Sequence, residues 1–108
     1  MPKQIMITYN DEDYILEYTR ATAKIMERNG FDVNEISSKP NIQIPMLFQG
    51  AFLCHHKRTK EETIDAIFKK LTNKEDLIAK LVEMYAETVT TLLEDPDPEQ
   101  GNVSWKVC

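Results

Sequence analysis

From Asn41 to Cys54 the chain carries no charged residue. Within that run Ile44, Met46, Leu47, Phe48, Ala51, Phe52 and Leu53 cover most of a helix circumference if Pro45 begins the helix. A helix apolar on nearly all sides is buried, so every other element has to wrap around this one. At about 12 residues it is far short of the roughly 20 that cross a bilayer, which makes it a core helix. Gly50 in its middle costs about 1 kcal/mol relative to Ala and predicts a close neighbour. The cations of His55, His56, Lys57 and Arg58 suit a helix C-terminus, and the predicted span is 45–57.

The wrapping elements are read from periodicity and breakers. Ile5–Tyr9 and Tyr14–Tyr18 are β-branched and aromatic runs on either side of the polar Asn10-Asp11-Glu12-Asp13 cluster, a hairpin over 4–18. Ile5, Ile7 and Tyr9 share one face, with Tyr14, Leu16 and Tyr18 as cross-strand partners. Thr19 caps a short helix over 20–29, Gly30 suits the left-handed residue beyond it, and Phe31 folds back on Ile25 or Met26. Residues 31–41 read as a connector with an extended piece around Val33 or Ile36.

Thr59-Lys60-Glu61-Glu62 forms a capping-box pattern for a helix over 60–71, whose Ile64, Ile67, Phe68 and Leu71 recur at helical spacing. Thr72 or Asn73 caps the longest helix, 74–94. Its apolar arc of Leu77, Ile78, Leu81, Val82, Met84, Tyr85, Val89, Leu92 and Leu93 spans roughly 180°, wider than the ~100° stripe a surface helix needs. Asp95-Pro96-Asp97-Pro98 stops that helix. The fold class expected is therefore α+β: an N-terminal hairpin followed by a bundle of about four helices, one domain over 1–95 and a flexible tail over 96–108 holding Trp105.

Bulk properties narrow the function classes. The 108 residues, 42% hydrophobic, supply one modest core. A net charge of −5 argues against nucleic acid, which needs a basic face. No stretch has the length of a membrane span. Two cysteines, Cys54 and Cys108, make no disulfide framework, and Met1–Thr8 is too short and too soon polar for an export segment, so the expected location is the cytoplasm.

No catalytic, cofactor-binding or metal-binding constellation is expected. Cys54-His55-His56 holds three metal-ligand types, but adjacent residues on a helix point about 100° apart, and zinc prefers wider spacing or a second ligand pair. Cys54, ending an uncharged apolar run, lacks the electropositive setting of a reactive thiolate. The basic cluster from His55 to Lys60 reads as dipole-complementing surface. The acidic turn is too short for a calcium loop, and three glycines, at 30, 50 and 101, cannot build a phosphate loop.

The order of these segments resembles a family of small proteins encoded in the tail modules of phages and prophages with long non-contractile tails. The resemblance rests on Ile5–Tyr9 with Tyr14–Arg20, Ile25–Phe31, Pro45–Phe52, Asn73–Ile78 with Glu83-Met84-Tyr85, and Gly101–Trp105. Proteins of that family are similar in size and gene position to tail assembly chaperones, often made in a short and a frameshift-extended form. That likeness implies binding to the tape-measure protein, with the tail-tube protein a further candidate partner, and no catalytic residues or cofactors. The alternative is a minor structural tail or connector protein retained in the virion; a small regulator binding a host protein is a third reading. Candidate partner-binding residues are Tyr85, Val89, Leu92 and Trp105. A lone hairpin is marginal in water, so it packs on the helices or pairs with another chain. Its two edges and the wide arc of the last helix predict self-association into a homo-oligomer, with Ile5, Ile7, Tyr9, Tyr14 and Leu16 as candidate residues.

Overall fold

A computed structural model describes residues 3–94, 99, 101 and 103–107. Two antiparallel strands, β1 (Ile5–Tyr9) and β2 (Glu12–Leu16), precede α1 (Arg20–Arg28), a single 3-10 turn (Val33–Glu35), α2 (Pro40–Gly50), α3 (Glu61–Lys70) and α4 (Lys74–Leu93). The class is α+β, with the hairpin and four α-helices where the periodicity places them.

Asn10 and Asp11 both take positive φ, 51° and 65°, which makes the hairpin connection a two-residue turn of the mirror-image type. The predicted four-residue turn is therefore half as long, and Glu12 and Asp13 belong to the strand. Ile5 faces Leu16 and Ile7 faces Tyr14 as expected, but the partner of Tyr9 is Glu12, and Tyr18 lies beyond the ladder. Leu16 is fully buried, and the Tyr14 ring meets Phe52 at 5.7 Å. The hairpin is thus stabilised by packing its inner face on the helical body.

Thr19 caps α1 as predicted, with Thr22 completing a reciprocal capping box. At its other end the Gly30 amide donates to Glu27 (3.1 Å) and the Phe31 amide to Met26 (3.0 Å), the paired bonds of a left-handed C-terminal motif with Gly30 at φ 102°. The extended piece expected at Val33–Ile36 is instead the 3-10 turn, because the Asp32 carboxylate accepts the Asn34 amide and bends the chain. The α3 capping box does not form either. Lys60 is the N-cap and Thr59 sits one residue too early. Asn73 is the N-cap of α4 but in left-handed geometry, without a side-chain bond.

The largest departure concerns α2. It begins at Pro40, the helix position where a missing amide is harmless, and Pro45 lies inside it. Pro45 deprives only the Asn41 carbonyl of a helical donor, and Asn41 is exposed to water. The helix also stops at Gly50 rather than 57. Ala51, Phe52 and Leu53 each donate three residues back, to Phe48, Gln49 and Gly50, a tighter winding. The segment then turns toward β2, where the Ala51 carbonyl accepts the Glu17 amide at 3.1 Å.

Nor is α2 apolar on every buried side. Ile42 is 59% exposed while Gln43 is buried. Gln43 accepts the Asp32 amide at 3.0 Å and donates to Glu35 at 3.2 Å, so a polar side chain pins the connector to the core. Around it the interior is continuous: Leu16, Leu47, Phe48, Phe52, Ile67 and Leu81 are the largest fully buried side chains.

Candidate functional site

The wide arc of α4 divides along its length. Leu81, Met84 and Tyr85 are buried, Leu77, Ile78 and Val82 pack against the core, and Thr88 is the last buried position. Val89, Leu92 and Leu93 are 49%, 60% and 78% exposed. Val89 and Leu92 line an open groove of about 540 Å³ against α1, floored by Ala23 and Thr88 and edged by the charged Arg20, Lys24, Glu27 and Arg28. A second apolar depression, about 490 Å³, lies between Ile44 of α2, Phe68 and Ile78.

Of the residues expected to bind a partner, Tyr85 is therefore corrected. Its ring sits edge-on to Tyr18 (5.6 Å) and Phe31 (5.0 Å), and its hydroxyl donates to Glu27 at 3.0 Å. It is core. Val89 and Leu92 stay together at one groove, and Trp105 lies apart in the tail segment, 86% exposed. Val103 and Val107, which alternate with Ser104 and Lys106, share that exposure at 91% and 88%. The alternation of apolar residues in Val103–Val107 is a sequence signal that a search for single aromatic anchors passes over.

The self-association residues are corrected too. Tyr14 and Leu16 are buried in their own chain, and Ile5, Ile7 and Tyr9 pack against the same core, so this face is occupied. What the hairpin offers is an edge. A two-residue turn makes 9:12, 7:14 and 5:16 the hydrogen-bonded pairs, which leaves the backbone groups of Met6 and Thr8, and of Asp13, Ile15 and Glu17, pointing outward. On the β2 side two of the amides are covered. The Ile15 amide donates to His56 Nε2 at 2.8 Å and the Glu17 amide to Ala51. On the β1 side, among the described residues, nothing outside the hairpin bonds the Met6 or Thr8 backbone, and the Met6 side chain is 62% exposed.

Beside the covered edge three chemically distinct groups converge. The Glu17 side chain is buried, and its Oε1 accepts from His55 Nε2 at 2.6 Å and from Gln4 Nε2 at 2.8 Å. The His55 bond, then the Gln4 bond, hold the Glu17 carboxyl below the usual carboxylate range. Cys54 joins them, with one ligand atom from each of the three residues within 4.8 Å of the others. Burial and the neighbouring Glu17 push the Cys54 thiol up, away from thiolate character. The helical angle that argued against this grouping does not apply, since Cys54 and His55 lie in the turns after α2.

These features define a small α+β protein with exposed apolar surface at the α1–α4 groove and helix end, at the β1 edge, at a second depression on α2 and in the Val103–Val107 segment. The chain belongs to the family described as a domain of unknown function, DUF5055, which matches residues 1–108. Neither curated proteins nor solved structures give a match. No helix among the described residues is long and apolar enough to cross a membrane.

Proposed function

We propose that this chain is a tail assembly chaperone of a phage or prophage with a long non-contractile tail, holding the tape-measure protein in the host cytoplasm until the tube closes round it. The observation that carries the reading is the far end of α4, where Val89 and Leu92 open a groove against α1 and Leu93 continues the apolar surface. A tape measure is a long, largely helical chain with apolar faces exposed before assembly. An amphipathic helix laid in such a groove is the usual way to cover such faces, and the charged rim of Arg20, Lys24, Glu27 and Arg28 suits its polar flanks. Trp105 adds a large rigid anchor of the type enriched in binding hot spots. Self-association through the β1 edge multiplies these contacts along a repetitive partner.

Co-expression with the product of the downstream tape-measure gene tests the proposal: a soluble complex is expected. Leu92→Asp is expected to abolish that complex while changing the stability of the chain by no more than about 0.5 kcal/mol, since the side chain is exposed. A complex formed equally well by the variant, or none formed by the parent chain, would count against the groove. The second reading, a minor connector protein retained in the tail, draws on the same exposed surface. Mass spectrometry of purified particles separates the two, because a chaperone leaves the finished tail.

A further inference from the structure

We propose that Glu17, Cys54 and His55 form a binding site for a divalent zinc ion, at the junction between the end of the hairpin and the turns that follow α2. The three residues supply one carboxylate oxygen, one sulfur and one imidazole nitrogen, all within 4.8 Å of one another. Zinc is the common biological ion that accepts this mixed set in tetrahedral geometry. At ordinary zinc–ligand bond lengths the donors stand roughly 3.3–3.6 Å apart, so small side-chain rotations suffice to close the site. Three protein ligands leave a fourth position for water, and the side-chain exposure of His55, 38%, gives the ion a way in.

Two further features favour a metal over an accidental cluster. The backbone on both sides is already pinned: Glu17 N–H to the Ala51 carbonyl, and Ile15 N–H to His56 Nε2, so the ligands are held on fixed strands of chain on either side of the gap. Gln4 stays bonded to the Glu17 carboxylate and orients it, as outer-shell partners of metal ligands do. The charges also balance. Zinc enters as the hydrated dication, Cys54 releases its thiol proton to solvent, and thiolate plus carboxylate neutralise the ion. His55 Nε2, which now donates to Glu17, gives up that hydrogen and the ring carries its proton on Nδ1. This inference stands independently of the chaperone reading.

Cobalt(II), a spectroscopic substitute for zinc, provides the test. The reduced, metal-free full chain is titrated with cobalt(II) and then with zinc. One equivalent is expected to give the near-ultraviolet thiolate-to-cobalt band and the intense visible bands of a tetrahedral site, and zinc is expected to erase both. Cys54→Ser and Glu17→Gln should each lose the thiolate band or the tetrahedral pattern, with circular dichroism confirming that the chains are folded. Cys108→Ser should leave the spectrum unchanged. Absence of a thiolate band in the parent chain, its persistence in Cys54→Ser, or its loss in Cys108→Ser overturns the assignment. Because Cys54→Ser is nearly isosteric and Cys54 is only partly buried, a folded variant is expected. Cys108→Ser alone decides between the two thiols whatever the variants at position 17 do.

Discussion

Tyr18 and Tyr85 carry their hydroxyls into the interior, and each finds one acceptor there. The Tyr18 hydroxyl donates to the Leu47 carbonyl and that of Tyr85 to Glu27. Desolvation pushes the Tyr18 phenol far up, and desolvation with the Glu27 bond raises that of Tyr85. Both groups hold their protons more tightly folded than unfolded, so the unfolded state loses protons first as pH rises. Stability from these groups is full below the ordinary phenol value of 10.0 and falls as the pH climbs above it. Tyrosinate absorbance should therefore show these phenols ionising only together with loss of the helical circular dichroism signal. If every phenol ionised while the helices stayed intact, the buried assignment would be wrong. At this scale sequence reading fails in a specific way. Tyr85 and Val89 lie on one helical arc, and nothing in the arc says that Tyr18 and Phe31 arrive from elsewhere to cover one and not the other. Likewise Glu17 reads as an ordinary strand residue until Gln4, Cys54 and His55 surround it.

Elements were the best-read level, and their ends the worst. Every strand and helix is visible in the spacing of apolar residues, but the ends of α2 depended on two prolines, and Pro40 rather than Pro45 occupies the first turn. The close neighbour that Gly50 predicted does exist. A β-carbon built there would collide with Met26 Sδ and lie 2.8 Å from Met26 Cγ, and Met26 is itself buried in α1. Overpacking of this sort costs typically about 1–3 kcal/mol. Gly50→Ala is expected to lower the midpoint of urea unfolding accordingly, despite the better helix propensity of alanine, and Met26→Ala in the same chain should recover part of the loss. An increase in stability for Gly50→Ala alone would show that the α1–α2 approach is looser than the geometry requires. Unreadable in the sequence was the role of the turns after α2. Their function is to return the Ala51 carbonyl and His56 to the edge of β2, a contact between positions far apart in the chain.

Over the whole molecule, the hairpin is docked by its face and asymmetric at its edges. Sequence patterning identifies the hairpin and its edges as a route to self-association but leaves open what covers its face, because a period of two cannot tell whether the covering surface comes from the same chain. With the face occupied, the open β1 strand is the edge through which the proposed self-association would run. Met6→Lys places a charge on that strand, a common natural means of blocking edge pairing. The variant is expected to keep its stability within about 0.5 kcal/mol, since Met6 points to solvent. Light scattering across a wide concentration range should show the parent chain associating and the variant remaining monomeric. A monomeric parent chain would remove self-association from the proposal and leave the α1–α4 groove untouched.

The partial covering of β2 by His56 and Ala51 also bears on the stoichiometry expected of the proposed self-association. A ribbon with two bare sides can recruit a copy on each and grow without end. Here the Ile15 and Glu17 amides on one flank are already bonded from within, whereas nothing outside the hairpin bonds the Met6 or Thr8 backbone among the described residues, so the two flanks are unequal. Under the proposed self-association, two copies meeting β1 to β1 would use up the barer edge of each, and a pair is the expected end point. The imidazole of His56, which accepts the Ile15 amide, occupies the middle of that flank, where an added strand would otherwise bond.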